Sequence, residues 1–124
     1  MSASKRQLGN LGEKIALDYL KKQNYHILDR NYQRKWGEID IITSKDKEIV
    51  FVEVKTRKKN QNSFIGPEES VGFFKQKRLI RTAQTYLLKE NYPPETNWQI
   101  DVIAVELDEQ TRRANLRHIK NAVY

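Results

Sequence analysis

The run Glu48 to Arg57, EIVFVEVKTR, constrains this chain more than any other segment. Ile49, Val50, Phe51 and Val52 are four consecutive residues of the β-branched and aromatic kind that favour extended backbone, and Glu53 and Lys55 then flank Val54. This run is a strand, and a strand must find a partner. Gly37 to Thr43 supplies it, with Ile39 and Ile41 expected on one face and Glu38, Asp40 and Ile42 on the other. Ser44-Lys45-Asp46-Lys47 between them reads as a turn. Centring that turn between Lys45 and Asp46 sets Asp40 opposite Phe51 and Glu38 opposite Glu53. Asp40 and Glu53 then become diagonal neighbours on one face, and Lys55 shares it.

Around this hairpin the chain reads as one mixed α/β domain over residues 1–124, in the order α-β-β-β-α-β-β. Leu8, Leu11, Ile15 and Tyr19 recur at helical spacing, widened by Ala16, Leu17 and Leu20, which predicts a helix from Ser4 to Gln23. Tyr25 to Tyr32 alternates loosely as a strand. Lys58 to Gly72 is polar and reads as a long loop. Phe73 to Glu90 forms a second helix with Leu79, Ile80, Ala83, Tyr86 and Leu87 inward, stopped by Pro93-Pro94. Trp98 to Leu107 and Asn115 to Val123 are the last strands, joined by a polar turn.

Charge narrows the function. The formal net charge is +7, and between Lys55 and Arg81 eight cations face only Glu68 and Glu69. Concentrated positive charge points to a polyanion, nucleic acid first. With no cysteine, disulfides, thiolate nucleophiles and cysteine-type zinc sites are excluded. No apolar run long enough for a membrane span and no apolar leader follow from the sequence, so a cytoplasmic protein without membrane contact is expected.

Asp40, Glu53 and Lys55 carry the chemistry. Two carboxylates at about 6 Å and an effective dielectric of about 20 repel by roughly 3 kcal/mol. Stability alone does not favour such a pair, and a divalent cation reverses its sign. Oxygen ligands select magnesium, manganese or calcium. A lysine beside them can hold one carboxylate, stabilise charge on a phosphate or orient water. Glu13 falls at the edge of the apolar face of the first helix and needs a partner there. His26 and His118 read as structural residues. Asp101 reads either as a solvated strand residue or as a group supporting the site, and Trp36 as a hydrophobic anchor or a base-stacking ring.

Arg6-Gln7-Leu8-Gly9, Gly12-Glu13, Gly37-Glu38-Ile39-Asp40, Val52-Glu53-Val54-Lys55-Thr56-Arg57 and Lys75-Gln76-Lys77 together resemble the YraN-type family of small bacterial proteins, described as predicted nucleases. That family is similar in fold to archaeal Holliday-junction resolvases and the PD-(D/E)xK superfamily. The resemblance implies a restriction-endonuclease-like fold and a Mg²⁺- or Mn²⁺-dependent endonuclease acting on DNA, with branched or junction DNA as a candidate and a homodimer as a candidate assembly. It assigns the superfamily aspartate, glutamate and lysine to Asp40, Glu53 and Lys55, and a helical acid to Glu13. The metal ligands it implies are Asp40, Glu53, the Val54 carbonyl and Glu13. Ile39 stands where the superfamily carries proline. Lys75, Gln76 and Lys77 are expected on the phosphate backbone, with Arg57, Lys58, Lys59 and Arg78 completing the basic surface. The competing expectation is a non-catalytic nucleic-acid-binding module on the same fold.

Overall fold

The computed structural model describes residues 4–59 and 71–123. Helix α1 spans Lys5–Lys22 and opens on Ser4, whose hydroxyl accepts from the Gln7 amide while the Gln7 side chain returns a bond to the Ser4 amide. This reciprocal cap satisfies two of the donors that a helix start leaves open. Strands β1 (His26–Arg34), β2 (Gly37–Lys45) and β3 (Glu48–Lys58) follow, then α2 (Phe73–Lys89), β4 (Trp98–Asp108) and β5 (Arg113–Val123). The expected order holds. The first and last strands run further than alternation indicated, and β3 extends one residue into the expected loop. Residues 60–70 of that loop lie outside the described residues.

The five strands form one sheet in the order β1-β2-β3-β4-β5. β3 and β4 are parallel and the other neighbours antiparallel. The parallel pair needs a crossover, which α2 supplies. Each face carries its own core. Ile42, Phe51, Ile100 and Val102 pack against Leu79, Ala83 and Tyr86 of α2. Ile41, Val50, Val52, Ile103 and Val105 pack against Ala16, Leu17 and Leu20 of α1. The central strands are covered on both sides, which is why their sequences are nearly continuous runs of apolar residues.

Two expectations are corrected. Asp46 and Lys47 both take positive φ, 50° and 68°, as a two-residue type I′ hairpin requires. The turn is therefore centred one residue later, and Ile41 pairs with Val52 and Ile42 with Phe51. Leu11, expected inward, is 47% exposed; Gly12 takes the buried position instead. A Cβ on Gly12 would collide with Oγ1 of Thr56, so glycine is what lets α1 lie against β3.

Candidate active site

The β2–β3 ladder runs from Lys45↔Glu48 to Ile41↔Val52. Beyond that pair the ladder stops, and the Asp40 and Glu53 carboxyls meet through a side-chain hydrogen bond. The Asp40 side chain takes over the ladder's role there: Oδ2 accepts from the Val54 amide at 2.7 Å. The backbone is irregular at this point. Ile39 belongs to the α2-side core and Ile41 to the α1-side core, so the two do not share a face as alternation predicted. A carboxylate is inserted where two strands separate.

Glu53 is 6% exposed and faces α2. Its Oε2 lies 3.0 Å from Lys75 Nζ, an ion pair. Burial, then the hydrogen bond with Glu53 and its charge, push the Asp40 carboxyl up to about 9. Glu53 moves the other way. Burial opposes its ionisation, yet the bond from Asp40 and the ammonium groups of Lys75 and Lys55 hold it below the usual carboxylate range. At neutral pH Asp40 thus keeps a proton that it donates to an ionised Glu53. Burial, followed by the adjacent Lys75, holds Lys55 below the usual lysine range. Lys75 is also opposed by burial, but its bond to Lys55 and the charge of Glu53 leave it above the usual range.

Glu13 reaches the pair from the α1 side. Burial raises its carboxyl, Arg30 opposes this, and Glu38 and Glu53 add to it. Among the described residues its buried Oε1 has no hydrogen-bond partner, so these residues do not meet the need expected of an acid at the edge of an apolar face. Glu13, Asp40 and Val54 line one cleft of about 340 Å³ with Lys5, Gly9 and Arg57. A larger groove of about 540 Å³ lies between α1 and the β4–β5 turn; it is lined by Leu8, Leu11, Ile15 and Leu107 and contains none of these acids. Glu13 and Asp40 line the smaller cleft. Its donors are oxygens, the kind a hard divalent cation takes: Asp40 touches Glu53, Glu13 has a buried oxygen with no hydrogen-bond partner among the described residues, and the Val54 carbonyl points to the same side of β3 as its amide. Among the described residues no three acidic or histidine side chains converge to ligand spacing.

The basic residues divide. Lys75, expected on phosphate, is bound to Glu53. The Gln76 side-chain amide donates to the Val71 carbonyl at 2.9 Å and so secures the start of α2. Lys58 pairs with Glu109 at 3.0 Å and Lys59 with Asp108 at 3.6 Å, so both fasten the end of β3 to the β4–β5 turn. Arg57 lines the cleft. Lys77 and Arg78 are exposed on α2, as a phosphate-facing role requires.

One network escaped the sequence reading. Asp101 is fully buried. It accepts from the Gln99 side chain at 2.8 Å, from the Asn121 amide at 2.8 Å, and bonds His118 Nε2 at 2.7 Å. The other ring nitrogen of His118 meets the Tyr19 hydroxyl at 2.9 Å. This chain of bonds ties β4 and β5 to α1. His118 has the structural part expected of it, and its acidic partner Asp101 comes to it through β4–β5 pairing rather than through spacing along the sequence. An acid between Ile100 and Val102 was the available signal. His26 is exposed. Trp36 carries the Arg81 guanidinium 4.0 Å above its ring.

Fold and site together define a small mixed α/β domain with a coupled, buried carboxylate pair and two lysines beside a basic helix. Residues 12–105 match the profile of the uncharacterised protein family UPF0102. A UPF0102 protein of Alkaliphilus oremlandii is 44% identical over 119 residues, covering 94% of this chain and 97% of its own. One from Caldanaerobacter subterraneus is 41% identical over 120 residues, 96% of each. One from Clostridium botulinum is 40% identical over 117 residues, 94% of each. The chain belongs to the UPF0102 family, the YraN-type family that its motifs resemble.

Proposed function

We propose that this protein is a divalent-metal-dependent phosphodiesterase acting on DNA, with Asp40, Glu53 and Lys55 at its centre. The observation that carries the reading is the Asp40–Glu53 pair. Two buried carboxylates share one proton where a stable apo protein would gain from an amide, and one of them, Asp40, lines a cleft together with Glu13, Lys5 and Arg57. Asp40, Glu53, the Val54 carbonyl and Glu13 would hold Mg²⁺ or Mn²⁺. The ion, when bound, supplies phosphate polarisation and a more acidic water. The chain's own residues do the rest. To serve as a ligand Asp40 would have to be ionised, with its proton passed to solvent. Lys75, which neutralises Glu53 in the metal-free protein, would then be available to a phosphate oxygen. Lys55, held below the usual lysine range, sits two residues from Glu53 and stabilises charge developing on the phosphate. Asp101, His118 and Tyr19 take no part in this chemistry and fix the sheet against α1.

A non-catalytic nucleic-acid-binding module is the second reading. The Lys75–Glu53 ion pair favours it, because it neutralises the acid without an ion. Cleavage assays on branched, duplex and single-stranded DNA, with RNA beside them, decide between the two. The expected result is Mg²⁺- or Mn²⁺-dependent cleavage that disappears in Asp40→Asn and Glu53→Gln. Wild-type protein that binds DNA and cuts nothing with any divalent ion would overturn the enzyme reading.

A further inference from the structure

Helix α2 begins with two phenylalanines that the core does not use. Phe73 is 65% exposed and Phe74 75% exposed. Their rings meet edge to face, 5.4 Å apart. The Lys77 ammonium lies 5.3 Å from the Phe73 ring centroid, and Arg78 and Arg81 are exposed along the same helix. One turn further, the Arg81 guanidinium rests on Trp36. Two exposed rings therefore open the helix, and exposed cations follow them along it. The residue after Phe74 is Lys75, whose ammonium reaches Glu53, so this surface adjoins the carboxylate pair.

The geometry points to a docking surface for unpaired nucleobases: Phe73 and Phe74 stack on bases while Lys77, Arg78 and Arg81 hold the flanking phosphates. The strand delivered to Asp40 and Glu53 is then single-stranded or locally unpaired. Exposed rings gain nothing from a closed duplex, which presents phosphates and base edges but keeps its base faces stacked. An unpaired base offers its face to any aromatic side chain, whatever the sequence. A protein partner is the weaker fit, since the apolar centre of such interfaces is depleted in lysine, and these rings stand among three exposed cations. The delivery of the strand to a cleaving site rests on the phosphodiesterase reading; its capture on α2 does not.

Fluorescence anisotropy with a labelled oligothymidylate of about 15 nucleotides and a blunt duplex, both in EDTA, reads capture without cleavage. Phe73→Ala/Phe74→Ala should weaken single-strand binding by about 5- to 150-fold for each base that no longer stacks and leave duplex binding unchanged. Both rings are exposed, so the melting temperature should not move. Phe73→Trp/Phe74→Trp should keep or raise single-strand affinity, as a larger ring stacks better. Equal affinities of wild type and the alanine variant for the oligothymidylate, or equal losses on both probes, would overturn the inference. Cleavage is scored separately. Wild type that captures single strands through the two rings and cuts nothing sinks the enzyme reading alone. Wild type that cuts while the alanine variant binds normally sinks this one alone.

Discussion

Asp40→Asn tests the central pair without changing its shape. The amide oxygen still accepts from Val54, and the amide nitrogen replaces the proton that Asp40 gives Glu53. The wild-type carboxyl is pushed from 3.8 to about 9. Its folded-state pKa lies above its unfolded value. The folded protein therefore binds the extra proton, and stability from this group is present at low pH and lost as pH rises towards 9. At pH 7 the loss is about 4 kcal/mol, from the interval between 3.8 and 7 at about 1.4 kcal/mol per unit. Glu53, held below its usual range, has the opposite sign: its contribution is present above 4.5 and lost as pH falls. It returns part of the cost, so about 4 kcal/mol is the upper bound on what the amide recovers. Metal-free Asp40→Asn should be more stable than wild type by about 2–4 kcal/mol at pH 7, or roughly 8–15 °C in melting temperature. The gap should close towards pH 4 and widen towards pH 9. Magnesium should reverse the comparison, raising the wild-type melting temperature as ligand linkage requires and leaving the variant where it was. Thermal melts over this pH range, with EDTA or with Mg²⁺, measure all of it. A variant less stable than wild type in EDTA at pH 7, or a magnesium shift equal in both proteins, would refute the reasoning.

Lys55→Ala should bind DNA nearly as well as wild type and cut it about 10²–10³-fold more slowly, because its charge acts as the phosphate gains charge; single-turnover rates beside anisotropy separate the two effects. Removing Lys77, Arg78 and Arg81 together should reduce the salt slope of duplex binding by about 0.9 for each phosphate no longer neutralised, whereas removing Lys58 and Lys59, which already pair with Glu109 and Asp108, should change it less. His118→Ala leaves Asp101 buried and Tyr19 unpaired, and should cost about 3–5 kcal/mol in urea unfolding with its slope unchanged. A loss under about 1 kcal/mol would mean that water replaces the ring without penalty.

The sequence by itself determined the elements and their order, because apolar spacing records which backbone each segment can bury. It also marked Asp40, Glu53 and Lys55, since acids and a lysine inside a strong strand are conspicuous against the residues such strands bury. It did not determine the hairpin register. That depended on Asp46 and Lys47 adopting left-handed backbone, which their side chains permit without requiring. The turn lies one residue later than expected, and the ladder it sets ends at Ile41 and Val52, just short of the two acids. Only tertiary structure decided what each charge meets. Lys75 looked like a phosphate ligand until the crossover helix set it on Glu53. Asp101 read equally as solvated or as a supporting group until β5 laid His118 against it and α1 supplied Tyr19. Local patterns report how a residue's own segment is buried, whereas ion pairs and shared protons arise between segments far apart in the chain, whose meeting the whole fold determines.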